Sequence, residues 1–240
     1  NASHIIVDGF EVRNFATPVV NNAQGTPVGV LINGASQNIE VRNLDIHDIA
    51  NRSTCTQTSG CGPSANGIGV FGDTVDGVQD IHLLNNDVYN NQLASSEAVT
   101  LNGNVSGFQV IGNSVRDNNN VGIDVIGLET DICPACSPAQ NRARNGLVRG
   151  NTVSGNSNAT NPWYSGANGN AVGIYVDGGE FIVVERNSVT GNDIGVEISS
   201  EAASGTANDI LVASNLIYNN LDAGLVVGGF SPNANAEGGG

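Results

Sequence analysis

Lysine is absent from this 240-residue chain, and eight arginines face 23 acidic residues, which gives a net charge of −15. A chain so poor in positive charge has no basic stripe for a phosphate backbone, which argues against nucleic acid binding. The same charge disfavours a polyanionic ligand unless Ca²⁺ bridges the ligand to the acidic residues. Solubility alone is a sufficient role for many of these surface acids.

Long apolar runs and helical periodicity are also lacking. No stretch approaches the roughly 18 consecutive apolar residues of a membrane span, so none is predicted. Residues 1–240 are expected to form one domain, an elongated repeat. Because neither end shows an amphipathic capping helix, we expect the domain either to lack its end caps or to meet other subunits there.

What the chain does contain is an asparagine that recurs in a fixed apolar frame. An apolar residue lies three positions before it and another lies two positions after it, at Asn86, Asn113, Asn151, Asn187 and Asn215. The intervals of 27, 38, 36 and 28 residues are unequal although the local frame persists. This combination is typical of a solenoid with rigid coils and variable corner loops. Stacked at a strand spacing of about 4.8 Å, the amides could hydrogen-bond from coil to coil.

A second marker alternates with the asparagines and opens a short alternating strand. It is a glycine followed by an apolar residue, at Gly29, Gly67, Gly122, Gly173, Gly195 and Gly224, with Ala98 replacing one glycine. In G-I-Y-V-D (173–177) the two-residue period places Ile174 and Val176 inside, and Tyr175 and Asp177 outside. The pattern predicts two short strands per coil of a parallel β-helix. An antiparallel sandwich is the alternative, but its hairpin signals fall inside the repeat.

This layout resembles the right-handed parallel β-helix proteins of the pectate-lyase-like superfamily. The resemblance runs from I-I-V-D-G-F-E-V-R-N (5–14) to N-L-I-Y-N-N-L-D-A-G-L-V-V-G-G (215–229). It implies an all-β, right-handed parallel β-helix with long loops on its C-terminal half. It does not select a function, because the superfamily includes lyases, glycoside hydrolases, esterases, epimerases, adhesins and phage tailspikes.

Four cysteines form two close pairs in loops, Cys55 with Cys61 and Cys133 with Cys136. Such pairs are expected to be disulfides of an extracellular or cell-surface protein, and a zinc site joining the two loops is the alternative.

Long insertions fall at residues 50–65, 127–145, 154–171 and 199–208, and such loops are the natural place for a binding site. The third insertion carries the only tryptophan, Trp163, with Tyr164 beside it. Exposed aromatic side chains can stack on sugars, whereas a purely structural role would be to anchor the loop on the coil.

The strongest acidic group follows this loop. Aligning the glycine frames stacks Asp124, Tyr175 and Glu197 on successive coils, with Asp177 two residues farther along and Glu201 nearby. The Cα atoms of Asp177 and Glu197 should lie about 8 Å apart. Two carboxyls that converge in this way acquire different pKa values and can serve as acid and as base or nucleophile. The alternative is that these acids are solvated on an outward strand face.

The segments G-I-Y-V-D-G-G (173–179) and G-V-E-I-S (195–199) resemble the G-I-W-[LI]-D … E arrangement of β-helix glycoside hydrolases that include β-xylosidases. The resemblance implies that Asp177 is the nucleophile and Glu197 the general acid/base. This chain departs from that pattern at Tyr175 and Gly178, and it lacks the Asn-His-Gly-Pro that follows the family's glutamate.

Three functions therefore compete. The first is a secreted glycoside hydrolase that acts on a neutral polysaccharide or oligosaccharide and requires no cofactor, with Trp163, Tyr164, Tyr175, Asp124 and Glu201 binding the substrate. The second is a non-catalytic structural or adhesive protein that self-associates end to end into a filament. The third is a Ca²⁺-dependent polysaccharide lyase, in which Asp124, Asp177 and Glu197 would hold the ion. One of three arginines would then be the base: Arg142, Arg144 or Arg149.

Overall fold

The computed structural model describes residues 1–22, 25–164 and 169–228, and within them the chain is a right-handed parallel β-helix. Three seven-stranded sheets run along the solenoid, and each coil contributes one strand to each sheet. Every pair of neighbouring strands within these sheets is parallel. The predicted fold is confirmed, but the prediction of two strands per coil is wrong.

The first sheet contains the strands that lead into the ladder asparagines. Its members are β1 (Ser3–Asp8), β4 (Gln37–Arg42), β7 (Val78–Leu84), β10 (Val105–Ile111), β13 (Arg144–Arg149), β16 (Glu180–Glu185) and β19 (Asn208–Ala213).

The second sheet is the one that the sequence pattern did not reveal. Its strands are only three residues long, too short to show an alternating pattern: β2 (Glu11–Arg13), β5 (Asp45–His47), β8 (Asp87–Tyr89), β11 (Ser114–Arg116), β14 (Thr152–Ser154), β17 (Ser188–Thr190) and β20 (Leu216–Tyr218).

The third sheet contains the strands that open near the glycine marker. They are β3 (Val28–Asn33), β6 (Asn66–Gly72), β9 (Val99–Gly103), β12 (Ile123–Ile126), β15 (Val172–Asp177), β18 (Ile194–Ser199) and β21 (Ala223–Val227). Two single 3-10 turns, Gln57–Ser59 and Pro162–Tyr164, are the helical elements of the described chain.

Asparagine side chains link the coils in two buried columns. In the predicted column, Nδ2 of Asn113 donates to Oδ1 of Asn151 at 3.0 Å, and Nδ2 of Asn151 donates to Oδ1 of Asn187 at 2.9 Å. A second column, five residues farther along each coil, is bonded in the same way and comprises Asn91, Asn118, Asn156, Asn192 and Asn220. Both columns satisfy backbone groups at the bends that flank the second sheet.

Left-handed backbone produces these bends. The residue before a ladder asparagine has positive φ, for example Asn85 at 54° and Gly112 at 69°. Asparagine and glycine adopt this conformation with least strain, which explains their abundance at the corners.

The core fills the lumen with one apolar layer per coil. Ile68, Val99, Ile123, Ile174 and Val196 align across adjacent strands of the third sheet and are almost completely buried. The two-residue alternation thus places Ile174 and Val176 inside, as the sequence predicts.

Both predicted disulfides are present, joining Cys55 to Cys61 and Cys133 to Cys136, so the thiols are not zinc ligands. No helix within the described ranges is long and apolar enough to cross a membrane. Apolar side chains are exposed on the first coil, at Ile6 and Phe10, and on the last coil, at Leu221 and Val227. The absence of end caps and end-to-end association both stay predictions.

Candidate functional site

The predicted acidic group lies on one outer face of the third sheet. Strand register places Asp124 opposite Tyr175, and Tyr175 opposite Glu197, on three successive coils. Asp177 is two residues beyond Tyr175 and pairs with Ser199 on the next coil. The alignment derived from the glycine frames is therefore correct.

This outward face is nevertheless buried, which excludes the interpretation of solvated surface acids. Asp124, Asp177 and Glu197 expose 4%, 5% and 1% of their surface. Loops cover them. The Pro162–Tyr164 turn closes one side, where Nδ2 of Asn120 donates to the Tyr164 hydroxyl at 3.2 Å. On the other side the chain leaving β18 turns back, and the N–H of Glu201 donates to Oδ1 of Asp177 at 2.7 Å.

Two residues of β15 and two of β18 form a two-by-two patch that consists of Tyr175, Asp177, Glu197 and Ser199. Tyr175 and Ser199 occupy one diagonal, and their hydroxyls are hydrogen-bonded at 2.8 Å. Ser199 Oγ also donates to Oε1 of Glu197 at 3.0 Å. Asp177 and Glu197 occupy the other diagonal, so the two carboxyls lie on opposite sides of a hydroxyl pair.

The carboxyl that acts most strongly on Asp177 is Glu201. Burial, followed by the charge of Glu201, raises the pKa of Asp177 to about 8. Burial, then the charges of Glu129 and Glu197, raises the pKa of Glu201 to about 7, although part of its side chain reaches solvent. Burial raises the pKa of Glu197, and its hydrogen bond from Ser199 partly offsets this effect.

Asp124 belongs to the same electrostatic group. Burial raises its pKa well above the usual range, with additional contributions from the charges of Glu97 and Asp177. Its Oδ1 is buried without a hydrogen-bond partner. A carboxyl in this position holds its proton more strongly than a solvated aspartate does.

The sequence analysis missed two acids of this group, Glu97 and Glu129. Burial raises the pKa of Glu97 to about 7, and Thr100 Oγ1 donates to its carboxyl at 2.7 Å. Glu129 Oε2 accepts a hydrogen bond from Nδ2 of Asn102 at 2.6 Å. Glu97 lies immediately before the one marker that has alanine instead of glycine, and Glu129 lies at the start of a long insertion. Neither position belongs to the strand motif that drew attention to Asp177.

A cleft beside the acids provides access for a ligand. It has a volume of about 690 Å³ including its open mouth. Tyr175, Glu197 and Glu201 form part of its wall, and Trp163 and Tyr164 form another part. Amide side chains complete it, from Gln57, Asn120, Asn158 and Asn170. Of the predicted site residues, five line this opening, namely Trp163, Tyr164, Tyr175, Glu197 and Glu201, whereas Asp124 and Asp177 lie behind its wall.

Two residues of the cleft wall have buried oxygens that lack a hydrogen-bond donor. They are Oε2 of Glu197 and Oδ1 of Asn120, and both residues are 1% exposed. Asn120 uses its Nδ2 group to donate to two carbonyl oxygens as well as to Tyr164. A ligand rich in hydrogen-bond donors would satisfy such acceptors.

The arginines considered as lyase bases make contacts of their own. Arg142 forms a 3.4 Å ion pair with Glu180, Arg149 pairs with Glu185, and Arg144 donates to the carbonyl oxygens of Gln140 and Arg142. Across residues 1–22, 25–164 and 169–228, no three acidic, histidine or cysteine side chains are grouped closely enough to hold a metal ion.

Comparison with known proteins gives one sequence relative and several structural likenesses. No protein family model matches the chain. The uncharacterized protein YwoF of Bacillus subtilis (strain 168) is 38% identical over 230 residues, which cover 94% of this chain and 44% of YwoF. The chain thus spans under half the length of this curated relative.

Solved structures of similar shape include the periplasmic alginate epimerase AlgG, with a TM-score of 0.46 and 18% identity over 92% of this chain and 46% of AlgG. Another is the A-module of the mannuronan C-5 epimerase AlgE4 of Azotobacter vinelandii. Its TM-score is 0.47 and its identity 12%, over 91% of this chain and 59% of that module. The β-helix assignment rests on the strand register of the chain itself.

Proposed function

We propose that this protein is an extracellular or cell-surface glycoside hydrolase that acts on a polysaccharide or oligosaccharide without acidic groups. The observation that carries the proposal is the contact of Glu201 with Asp177: Glu201 lines a cleft with aromatic walls, and its N–H donates to the buried Asp177 carboxyl behind that wall, whose pKa of about 8 leaves it protonated at neutral pH. A protonated carboxyl can donate its proton to a glycosidic oxygen, and a second, ionised carboxyl can act as base or nucleophile. The disulfides support an oxidising compartment.

Two assignments of the second carboxyl are open. The resemblance to β-helix hydrolases favours Glu197 as the partner, with Asp177 as the nucleophile. The geometry favours Glu201, because its N–H donates to Asp177 and its pKa of about 7 lies below the value of about 8 for Asp177. In this second assignment Asp177 is the acid, and Glu197 acts on the site through Ser199 and Tyr175.

The charge of the site supports a substrate without carboxylate or sulfate groups. The charges of Glu97, Asp177 and Glu201 all raise the pKa of Asp124, which shows that these four acids lie close together. An anionic sugar ring would add to this repulsion unless cations accompanied it. The Ca²⁺-dependent lyase therefore stays a prediction, and no contact among the described residues supports its metal site or its arginine base.

Single amide substitutions separate the two assignments. Asp177→Asn should lower kcat on a releasable aryl glycoside or a glycan panel by about 10²- to 10⁴-fold, with a melting temperature at pH 5 no lower than that of the wild type. Glu201→Gln should cause a loss of the same size if Glu201 is the partner, and Glu197→Gln should do so if Glu197 is. Full activity of the Asp177→Asn variant would refute the proposed site.

A structural or adhesive function is the second candidate, supported by the exposed apolar side chains on the first and last coils. It predicts concentration-dependent, end-to-end oligomers in analytical ultracentrifugation, weakened by Phe10→Ser or Leu221→Ser. A monomer at every concentration would contradict it.

A further inference from the structure

The acids around the cleft have no positively charged partner. The arginine and histidine ion pairs of the described chain all lie elsewhere, as at Arg42 with Asp8 and Arg116 with Asp87. None includes the six acids that surround the site, which are Glu97, Asp124, Glu129, Asp177, Glu197 and Glu201. Three of these acids, Asp124, Asp177 and Glu197, are buried. Because buried carboxyls are normally paired with a positive charge, this arrangement favours a positively charged ligand.

The unsatisfied hydrogen-bond acceptors of the site also favour a positively charged ligand. Oε2 of Glu197, Oδ1 of Asn120 and Oδ1 of Asp124 are buried acceptors without donors. Each of the three residues is at least nine-tenths buried, and Glu197 and Asn120 lie in the cleft wall itself. An ammonium group offers three donors and accepts nothing, which matches a wall with an excess of acceptors.

A protonated amine fits this wall better than a bare metal ion does. Ca²⁺ needs about six to eight oxygens at roughly 2.3–2.6 Å, and the described acids are not grouped that closely. An ammonium on a sugar ring needs only a few hydrogen bonds of about 2.8 Å. The ring itself can stack on Trp163 or Tyr164, whose π-faces also attract cations.

We propose that the cleft selects sugars that carry a free, protonated amine, so that the substrate is a glycan with unacetylated hexosamine units. This inference rests on the proposed function for the identity of the ligand as a glycan. The amine lies against Glu201 and Glu197, and the ring lies against the aromatic wall. An N-acetylated sugar lacks the charge and presents a carbonyl acceptor to a wall that already has too many acceptors.

The test compares a glucosamine tetrasaccharide with its N-acetylated counterpart by isothermal titration calorimetry at about pH 7. To remove dependence on linkage, NMR titrations compare the methyl glycosides of glucosamine, N-acetylglucosamine and glucose. The free-amine ligand should bind about tenfold more tightly in each set. Its binding should also release protons, seen as a binding heat that depends on the ionisation enthalpy of the buffer, because the ammonium favours ionised carboxyls.

Glu201→Gln should reduce the preference to below about threefold, since it removes one charge at the mouth of the cleft. The matched control Asp209→Asn removes the same charge from the exposed side of β19 and should keep the preference. Equal or weaker binding of the amine form, no binding of either form, or equal effects of the two variants would overturn the inference.

Hydrolysis is measured separately on the same glycans. Turnover that requires Asp177 but shows no amine preference would leave the hydrolase standing and remove the inference. Amine preference without turnover of any glycan would support the inference and remove the proposed hydrolase function.

Discussion

Replacing Asp177 with asparagine tests the premise of the site, which is that this carboxyl is protonated in the folded protein. Its pKa rises from the ordinary 3.8 to about 8 on folding, mainly because of burial. The folded state therefore holds a proton that the unfolded chain has released between about pH 4 and pH 8. Within that window the free energy of unfolding must fall as pH rises, by about 1.4 kcal/mol per pH unit for one proton.

Asparagine has the shape of the protonated carboxyl and can still accept the N–H of Glu201, but it does not titrate. The variant should thus gain stability relative to the wild type as pH rises, on the order of 5 kcal/mol over the whole window. Below about pH 4 the difference should be constant, because both folded and unfolded chains then carry the proton.

Urea unfolding at intervals from pH 5 to pH 8 measures this difference directly. Asp209→Asn, an exposed change of the same kind on β19, serves as the control and should give a nearly flat difference curve. Parallel stability curves for the wild type and Asp177→Asn across this range would refute the reasoning, because Asp177 would then be ionised in both states.

Two further predictions concern turnover and the ladder. If Asp177 is the acid and Glu201 the base, kcat/KM should rise with pH through about 7, as Glu201 ionises, and fall through about 8, as Asp177 loses its proton; an optimum below about pH 6 would contradict this pairing. Asn151→Ala removes four buried hydrogen bonds and should lower the free energy of unfolding in urea by about 3–4 kcal/mol. Thr152→Ala, at the exposed position that follows Asn151 and begins β14, should change it by about 0.5 kcal/mol. A loss below about 1 kcal/mol for Asn151→Ala would count against the ladder as a source of stability.

The fold was predictable because most strands of the first and third sheets are long enough to show alternating apolar and polar residues. Ile174 and Val176 identify a two-residue period, and the frame around Asn151 repeats on five coils. The second asparagine column was not predicted. Asn91 and Asn118 lie in asparagine-rich runs, N-N-Q (90–92) and D-N-N-N (117–120), where the residue type indicates only a loop.

The alignment of the site residues on neighbouring coils was predictable from the sequence, but their burial and hydrogen bonds were not. Periodicity aligns Asp124, Tyr175 and Glu197 because neighbouring coils share one frame. Their burial depends on how the loops after β14 and β18 fold back, and loop paths leave no periodic signal. The Tyr175–Ser199 hydrogen bond, which separates Asp177 from Glu197, depends in turn on side-chain directions that residue spacing does not determine.

The asparagine column has a direction, and it makes the two neighbours of any damaged rung unequal. Each rung gives both its backbone N–H and its Nδ2 to the oxygen of the rung that follows it. Losing the amide at Asn151 would leave the backbone N–H of Asn113 without its acceptor and its Nδ2 with only the Leu83 carbonyl. Asn187, in contrast, would still receive the backbone N–H of residue 151. Removing one asparagine should therefore destabilise the coil on its amino-terminal side more than the coil on its carboxy-terminal side, although the two coils have nearly the same fold.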